Sequence, residues 1–565
     1  MSLFSSIQLA NNSLRAQQIG LQVTGQNISN ANTPGYIREE VVFKPAPTQR
    51  IGSLLLGLGV DVEAVVQKTD KFLEERLRNA SSDRHDTEIQ KETYLQLEGI
   101  LGELSDTDLS TALSNLSAAI QDVLAQPEDL AARNLAVLQG RTLGQDIVRL
   151  AERVTDVRND VNQRIDNIAS DINQRIAEIT KFNVRIAFTE GGDASGSEAV
   201  GLRDLRGIAL SELAELIDID AVEQPSGAVN VFAGGDFLVL EGSGREVTSV
   251  RTSVQGLTVS TIRVKETDSP LQHSSGELAG LIASRDDVLG GFLTKLNEFA
   301  STLAFGFNQI YSSGEGLTGF QELTAEFSVD DADLALDQAG LYRPPVNGGF
   351  QIKILNKQTN STQTYDINVR LNGLSDDTTM DDLVSQLDAI DSLSASVSAT
   401  GVLSLSSNSV DQEFSFSNDS SGLLAVLGLN TFFSGSTATD LGINQDLLDD
   451  PAKFAASQSG IGPDTGNAIA MIDFLDRQLQ SGSEDTLSSL YERFVGDVTQ
   501  SATVARSASD GAVVFEESLR GQWLGIAGVS LDEEAVRMIQ YQRAYQAAAR
   551  YIGVLSELMG LLVNL

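Results

Sequence analysis

Residues Ile7, Leu14, Leu21 and Ile28 recur at seven-residue steps near the start of the chain, with Leu3, Ala10, Gln17 and Thr24 each four residues earlier. At the other end Leu531, Met538, Tyr545, Ile552 and Met559 form one such row, and Tyr541, Ala548, Leu555 and Leu562 form the row three residues on. Heptad spacing of this kind specifies helices that bury a narrow apolar seam against another helix. Two such helices, one at each terminus of 565 residues, make everything between them an insertion. The apolar side chains of residues 1–30 number about ten, too few for their burial to offset the backbone entropy of ordering that segment. The seam is therefore expected to be completed by neighbouring subunits.

The first helix is broken by NISNANTPGYIREE, Asn27 to Glu40. Pro34 and Gly35 cannot continue a helix, and Asn30 and Asn32 tolerate unusual backbone angles, so these four are expected to form a turn that redirects the chain. The last helix begins at a Ser530 cap, with Asp532, Glu533 and Glu534 on its positive end.

Inward from both ends the helical pattern continues over 71–104, 109–126, 130–188, 277–311 and 487–519. Ile165, Ile168, Ile172, Ile176 and Ile179 share one face of the third of these. Residues from about 218 to 272 and from about 314 to 433 alternate apolar and polar and predict short strands, with one helical stretch at Met380 to Ile390. The expected fold is α+β and multidomain, a discontinuous layout of terminal coiled-coil helices, a long-helix bundle and inserted mainly-β outer domains. Its expected parts are a terminal inner domain (1–60 with 525–565), a helical bundle (61–217, 273–313 and 436–524), a small β region (218–272) and a β-rich outer insertion (314–435).

The net charge of −39 would repel phosphate backbones, so nucleic acid is not an expected partner. That charge is uneven: residues 1–60 carry +2, residues 531–565 carry −1, and the remainder holds −40. With no cysteine, disulfides, zinc–thiolate sites and cysteine nucleophiles are excluded together. MSLFSSIQLANNS lacks a basic leader and an unbroken apolar core, so no cleaved secretory signal is expected. No apolar run is long enough for a membrane span, and membrane insertion is not expected.

Searching for chemistry yields little. Gly314, Gly316 and Gly319 match GxGxxG, but they follow a helical pattern and precede strands, the reverse of a dinucleotide fingerprint, and predict a flexible loop. A Ser-His-Asp triad would have to use His85 or His273, the first among charged helix residues and the second in a polar stretch. Paired acids such as Asp330–Asp331, Asp376–Asp377, Asp381–Asp382 and Asp449–Asp450 read as a solvated face. DDADLALD lacks the glycine and terminal glutamate of a calcium loop. No catalytic residue, cofactor or metal is expected.

ISNANTPGYIREE after an amphipathic helix resembles the N-terminal signature of the bacterial flagellar rod, hook and hook-associated proteins. GVSLDEEAVRMIQYQRAYQAAARYIGVLSELMGLLVNL is similar to their C-terminal helix, and LDEE with QRAYQAAAR, together with LGLNTFFSGSTATDLGINQDLLDDPAKFAAS (Leu427 to Ser457), resembles the hook-associated members. Ser530 stands where many relatives have asparagine, and either can cap. The resemblance implies terminal helices paired as a coiled coil in the core of a tube, and self-assembly into a ring or short helical layer at the junction of hook and filament. It further implies as partners the hook protein, the next junction protein and a dedicated export chaperone on the C-terminal region. Localisation would be extracellular, after export without a cleaved signal. The residues expected to carry assembly are Ile7, Leu14, Leu21, Ile28, Met538, Tyr541, Tyr545, Ala548, Ile552, Leu555, Met559 and Leu562. A hook or distal rod protein, and less so a surface adhesin with a coiled-coil stalk, are the rival readings; an enzyme is not expected.

Overall fold

The computed structural model describes residues 3–51, 54–102, 108–191, 199–254, 257–476 and 486–563. In chain order its helices are α1 (Leu3–Asn30), α2 (Lys71–Gly102), α3 (Leu109–Ala125), α4 (Leu130–Glu190), α5 (Val200–Leu216), α6 (Glu277–Ala283), α7 (Gly291–Tyr311), α8 (Met380–Asp388), α9 (Leu423–Leu427), α10 (Gln445–Asp449), α11 (Gly466–Asp476), α12 (Leu487–Ala527) and α13 (Leu531–Val563). The fold is α+β and discontinuous, and it divides into two compact units. One holds Met1–Thr93, Asn159–Asp286 and Thr503–Leu565; the other holds Tyr94–Arg158 and Asp287–Ala502.

In the first unit α1 and α13 pack against each other, antiparallel. Asn27 meets Glu534, and seven residues back along α1, Gly20 meets Tyr541, seven residues on along α13. A Cβ on Gly20 would stand 2.9 Å from the Tyr541 ring, so only glycine admits that ring at this level. Carried on by seven, the register sets Ser13 level with Ala548 and Ser6 level with Leu555; Ser6 and Leu555 are both buried. The buried residues of α1 include Ser6, Ala10, Ala16, Gly20, Val23, Thr24 and Asn27, mostly small or polar, and at Gly20 the lack of a side chain admits the Tyr541 ring.

Strands 39–45 and 60–67 then form an antiparallel ribbon with a bulge between Val42 and Phe43, and Phe43 meets the Tyr541 ring edge-on at 6.4 Å. In the second half of α4 the face of Ile165, Ile168, Ile172, Ile176 and Ile179 is buried throughout, as its spacing predicts. Two small antiparallel sheets pack on this unit: a meander of 220–223, 229–233, 236–240 and 243–244, and a sheet of 247–254, 257–264 and 269–270.

What holds those sheets to α4 is a repeated device. Asn173 donates from Nδ2 to the Val247 carbonyl and accepts the Val247 amide on Oδ1, both at 2.8 Å. Asn183 makes the same exchange with Val229 (2.7 and 2.9 Å), and Asn162 spans the Thr258 carbonyl (2.7 Å) and the Ser260 amide (3.1 Å). The three stand about three helical turns apart, hence on one face, and each carboxamide bonds sheet backbone, of the edge strand 247–254 at Val247 and of the inner strands 229–233 and 257–264 at the other two.

In the second unit Asn308 of α7 binds the Phe433 carbonyl (2.8 Å) and amide (2.9 Å) in the same way. Around it Phe307, Tyr311, Phe432, Phe433 and Phe454 form a fully buried aromatic cluster, with Phe307 and Phe432 centroids 5.0 Å apart. Buried Arg133 reaches into this core and donates to the carbonyls of Pro127 and Phe454. The β-rich part has two three-stranded sheets, 322–324/403–407/393–397 and 361–369/348–356/412–417, over a core that includes Phe414, Phe416 and Leu383 of α8.

Three sequence expectations change. The helix expected over 277–311 is interrupted by a π-helical stretch at Ser284–Gly290, where buried Arg285 donates to the Ser260 carbonyl. The segment Gly314–Gly319 is not a flexible loop but a tightly packed one, in which a Cβ on Gly314 would lie 2.0 Å from the Asn467 side chain. Left-handed backbone among the described non-glycine residues is confined to Glu241, Asp268, Asn360, Asn418 and Asn430, so Asn30 and Asn32 do not adopt it. In that turn only Gly35 does, at φ +76°, with Ile208 packed where its Cβ would be.

Candidate functional site

The two signature stretches of the sequence meet in one buried clamp. α1 ends at Asn30, whose side chain accepts the Thr33 hydroxyl (3.2 Å) while the Thr33 amide caps the Asn30 carbonyl (2.9 Å). Pro34 and Gly35 turn the chain, and Tyr36 and Arg38 come back against the start of α13. Asn27, 1% exposed, accepts the Tyr36 hydroxyl (2.8 Å) and the Glu39 amide (3.0 Å) on Oδ1. Its Nδ2 donates to the Glu39 carbonyl (2.9 Å) and to Glu534 Oε2 (3.1 Å).

Arg38, 5% exposed, donates from Nε to Glu534 Oε1 at 2.9 Å, and its Nη2 lies 2.7 Å from that oxygen and 2.9 Å from Glu533 Oε2. The Arg38 amide donates to the Ala527 carbonyl at the end of α12, and its carbonyl accepts the Lys68 amide. One residue thus ties the outgoing ribbon to both C-terminal helices. Charge complementarity keeps the site in its paired state: burial works against the Arg38 charge, but hydrogen bonds to Glu533 and Glu534 outweigh it and hold the guanidinium above its ordinary range. Burial, reinforced by the nearby Glu39, Asp204 and Glu534 charges, pushes the Tyr36 phenol up, so it stays a donor.

Beside the clamp runs a groove of about 1070 Å³, whose walls include Ile208, Arg78, Leu524 and the single tryptophan, Trp523. Among the described residues no group of three His, Cys, Asp or Glu side chains is placed to hold a metal ion, and no helix is long and apolar enough to cross a membrane.

The residues expected to carry assembly fall into two sets. Leu555 is buried and Tyr541, Ala548, Met538 and Ile552 are half-buried, the first three along the α1-facing side of α13 with Glu534. Ile7, Leu14, Leu21 and Ile28 are half-buried, one residue on from Ser6, Ser13, Gly20 and Asn27, and Tyr545 and Met559 are exposed. The side chain of Leu562 lies outside the described residues. Pattern reading gave no role to Asn27, Tyr36 and Arg38 and read Glu534 only as a charge at the helix start, although all four stand inside the two stretches it singled out. The signal was there in principle, since polar residues on a helix's buried side need partners.

Comparison with known proteins identifies the class first. The model described as "Flagellar hook-associated protein FlgK helical domain" matches residues 94–326, and that described as "Flagellar basal body rod FlgEFG protein C-terminal" matches residues 521–565. Both models describe flagellar axial proteins, and along its whole length the chain is similar to flagellar hook-associated protein 1. Flagellar hook-associated protein 1 of Escherichia coli (strain K12) is 24% identical over 582 residues, spanning 99% of this chain and all of that one. The protein of the same name from Bacillus subtilis (strain 168) is 23% identical over 580 residues, spanning 100% of this chain and 98% of its own. The solved structure of the flagellar hook junction protein FlgK from Burkholderia pseudomallei covers 79% of this chain and 99% of its own, at a TM-score of 0.49 and 15% identity.

Proposed function

We propose that this chain is a structural adaptor subunit joining flagellar hook to filament, and not an enzyme. The observation that carries the reading is the clamp. Both terminal signatures converge on Arg38–Glu534, which holds α1 and α13 as one paired element, while large apolar residues on α13 (Val536, Ile539, Val554, Leu558) stay exposed. Exposed apolar rows on a paired helix are surfaces for further copies. The inner domain is then 1–60 with 525–565, and Ile7, Leu14, Leu21, Ile28, Tyr545 and Met559 are available to contact neighbours in a ring or helical layer. The helical bundle and β insertions form the outer layers. The hook protein, the next junction protein and an export chaperone on the C-terminal region are the partners, and the assembled protein is extracellular.

Electron microscopy of cells lacking the gene, with an assay for flagellin in the medium, tests this. Bare hooks with flagellin lost to the medium are expected. Absent hooks would reassign the protein to hook or rod, and normal filaments would remove it from the axis. Within the clamp element, Leu555→Asp puts a charge into a buried seam position and is expected to block incorporation while leaving the circular dichroism of the remainder intact; normal filaments from that variant would refute the role of the seam.

A further inference from the structure

Two Asn–Gly steps occur in the chain, Asn347–Gly348 and Asn372–Gly373, and the structure treats them in opposite ways. An Asn–Gly step can cyclise: the glycine nitrogen attacks the asparagine side-chain carbonyl carbon, an N–C bond forms, the C–NH2 bond breaks and ammonia leaves with the proton. The resulting succinimide takes up water and opens to aspartate or isoaspartate, so the net reaction consumes one water and releases one ammonia. Glycine favours this because no side chain shields its nitrogen.

At Asn347 the reaction is hindered. Its Oδ1 accepts the Leu371 amide at 3.1 Å, Gly348 is paired with Val369 in a strand, and a Cβ there would already touch Ser420. At Asn372 it is not. Asn372 and Gly373 are exposed at the tip of a loop whose ends are pinned by the Thr378 amide on the Arg370 carbonyl (2.8 Å) and the Arg370 amide on Thr378 Oγ1 (2.9 Å). Gly373 has φ +74° and nothing within 4 Å of its Cβ position. Asp377, buried beneath the tip, accepts the Asn372 amide on Oδ1 at 2.6 Å and the Gly373 amide on Oδ2 at 2.7 Å. The N–H that must be lost is therefore already on a carboxylate oxygen, within the reach required of a general base.

We propose that Asn372–Gly373 is a spontaneous modification site, converted to aspartate or isoaspartate, with Asp377 as the base that removes the Gly373 amide proton. Conversion adds a charge beside Asp376 and Asp377, and in the isoaspartyl form one extra backbone carbon, at a loop of the β-rich insertion.

The test is peptide mapping by mass spectrometry, with isoaspartate-specific methylation, of the full-length protein held at neutral pH. Asn372 is expected to convert at least about tenfold faster than Asn347 in the same sample, and Asp377→Asn to slow Asn372 by at least about tenfold. Asn347 serves as an internal clock for any general loosening. Equal rates at the two steps in the unaltered chain would overturn the proposal. So would an Asp377→Asn chain in which Asn372 converts as fast or faster, because a loop that is merely released from restraint speeds up.

Discussion

Replacing Arg38 with alanine isolates the clamp. Glu534 is 1% exposed and has Arg38 at 2.7–2.9 Å as its ion-pair partner, with Asn27 Nδ2 as a further donor at 3.1 Å. Stripping one member from a buried ion pair costs about 3–5 kcal/mol, and because Asn27 remains, the lower end, about 3 kcal/mol, is expected. Glu533 has a side chain 62% exposed, so Glu533→Ala should cost under about 1 kcal/mol despite its 2.9 Å contact. A chain of two units does not unfold in one step, so a single melting curve is the wrong assay. Hydrogen exchange at the Arg38 and Glu39 amides, which donate to Ala527 and Asn27, reads the clamp directly. Arg38→Ala should lower their protection about hundredfold, and Glu533→Ala less than tenfold. Arg38→Met combined with Glu534→Leu should regain most of the loss, since both charges go together. Equal losses in Arg38→Ala and Glu533→Ala, or a double variant as damaged as the sum of its parts, would refute the assignment.

Other perturbations reach different parts of the fold. Asn173→Leu removes both bonds to Val247 and leaves a strand edge unpaired, at about 1–3 kcal/mol, read as lost amide protection at Val247 with the rest of the sheet unchanged. Gly20→Val forces a branched side chain into the 2.9 Å gap to the Tyr541 ring; overpacking of about 1–3 kcal/mol should appear as raised protease sensitivity confined to α1 and α13, and Tyr541→Ala should relieve it. Asp204 has its carboxyl pushed up to about 6, by burial first and the Glu39 charge next, against hydrogen bonds from Ile37 and Gln67. With the folded value above the unfolded one, its contribution is complete below about pH 4 and is lost as pH rises through about 6, a difference of roughly 3 kcal/mol. Asp204→Asn should therefore gain on the unaltered chain as pH climbs from 4 to 8 in amide protection of this unit, and a constant offset would contradict the sign.

Much of this protein is legible in its sequence because one-dimensional patterns follow from helix and strand periodicity. The isoleucine face of α4, the starts of α2, α3 and α4, the two β insertions and the break at Pro34–Gly35 all follow from spacing and turn chemistry between near neighbours. The acidic body and the absence of cysteine exclude whole classes of function without coordinates. What only tertiary structure decided is which face of each helix meets which partner. The apolar row Ile7, Leu14, Leu21, Ile28 is legible as a seam by hydropathy, but that α13 meets α1 at Gly20 and Asn27 is not. A heptad pattern records that a face is apolar, whereas close helix approach is set by the absence of side-chain volume, at Gly20 opposite Tyr541. Arg38 and Glu534 stand almost five hundred residues apart, and nothing local to either demands the other. The same is true of the asparagines on α4 and α7: a carboxamide that bonds strand backbone looks, in sequence, like any polar residue facing water, because its two backbone partners exist only once the chain has folded.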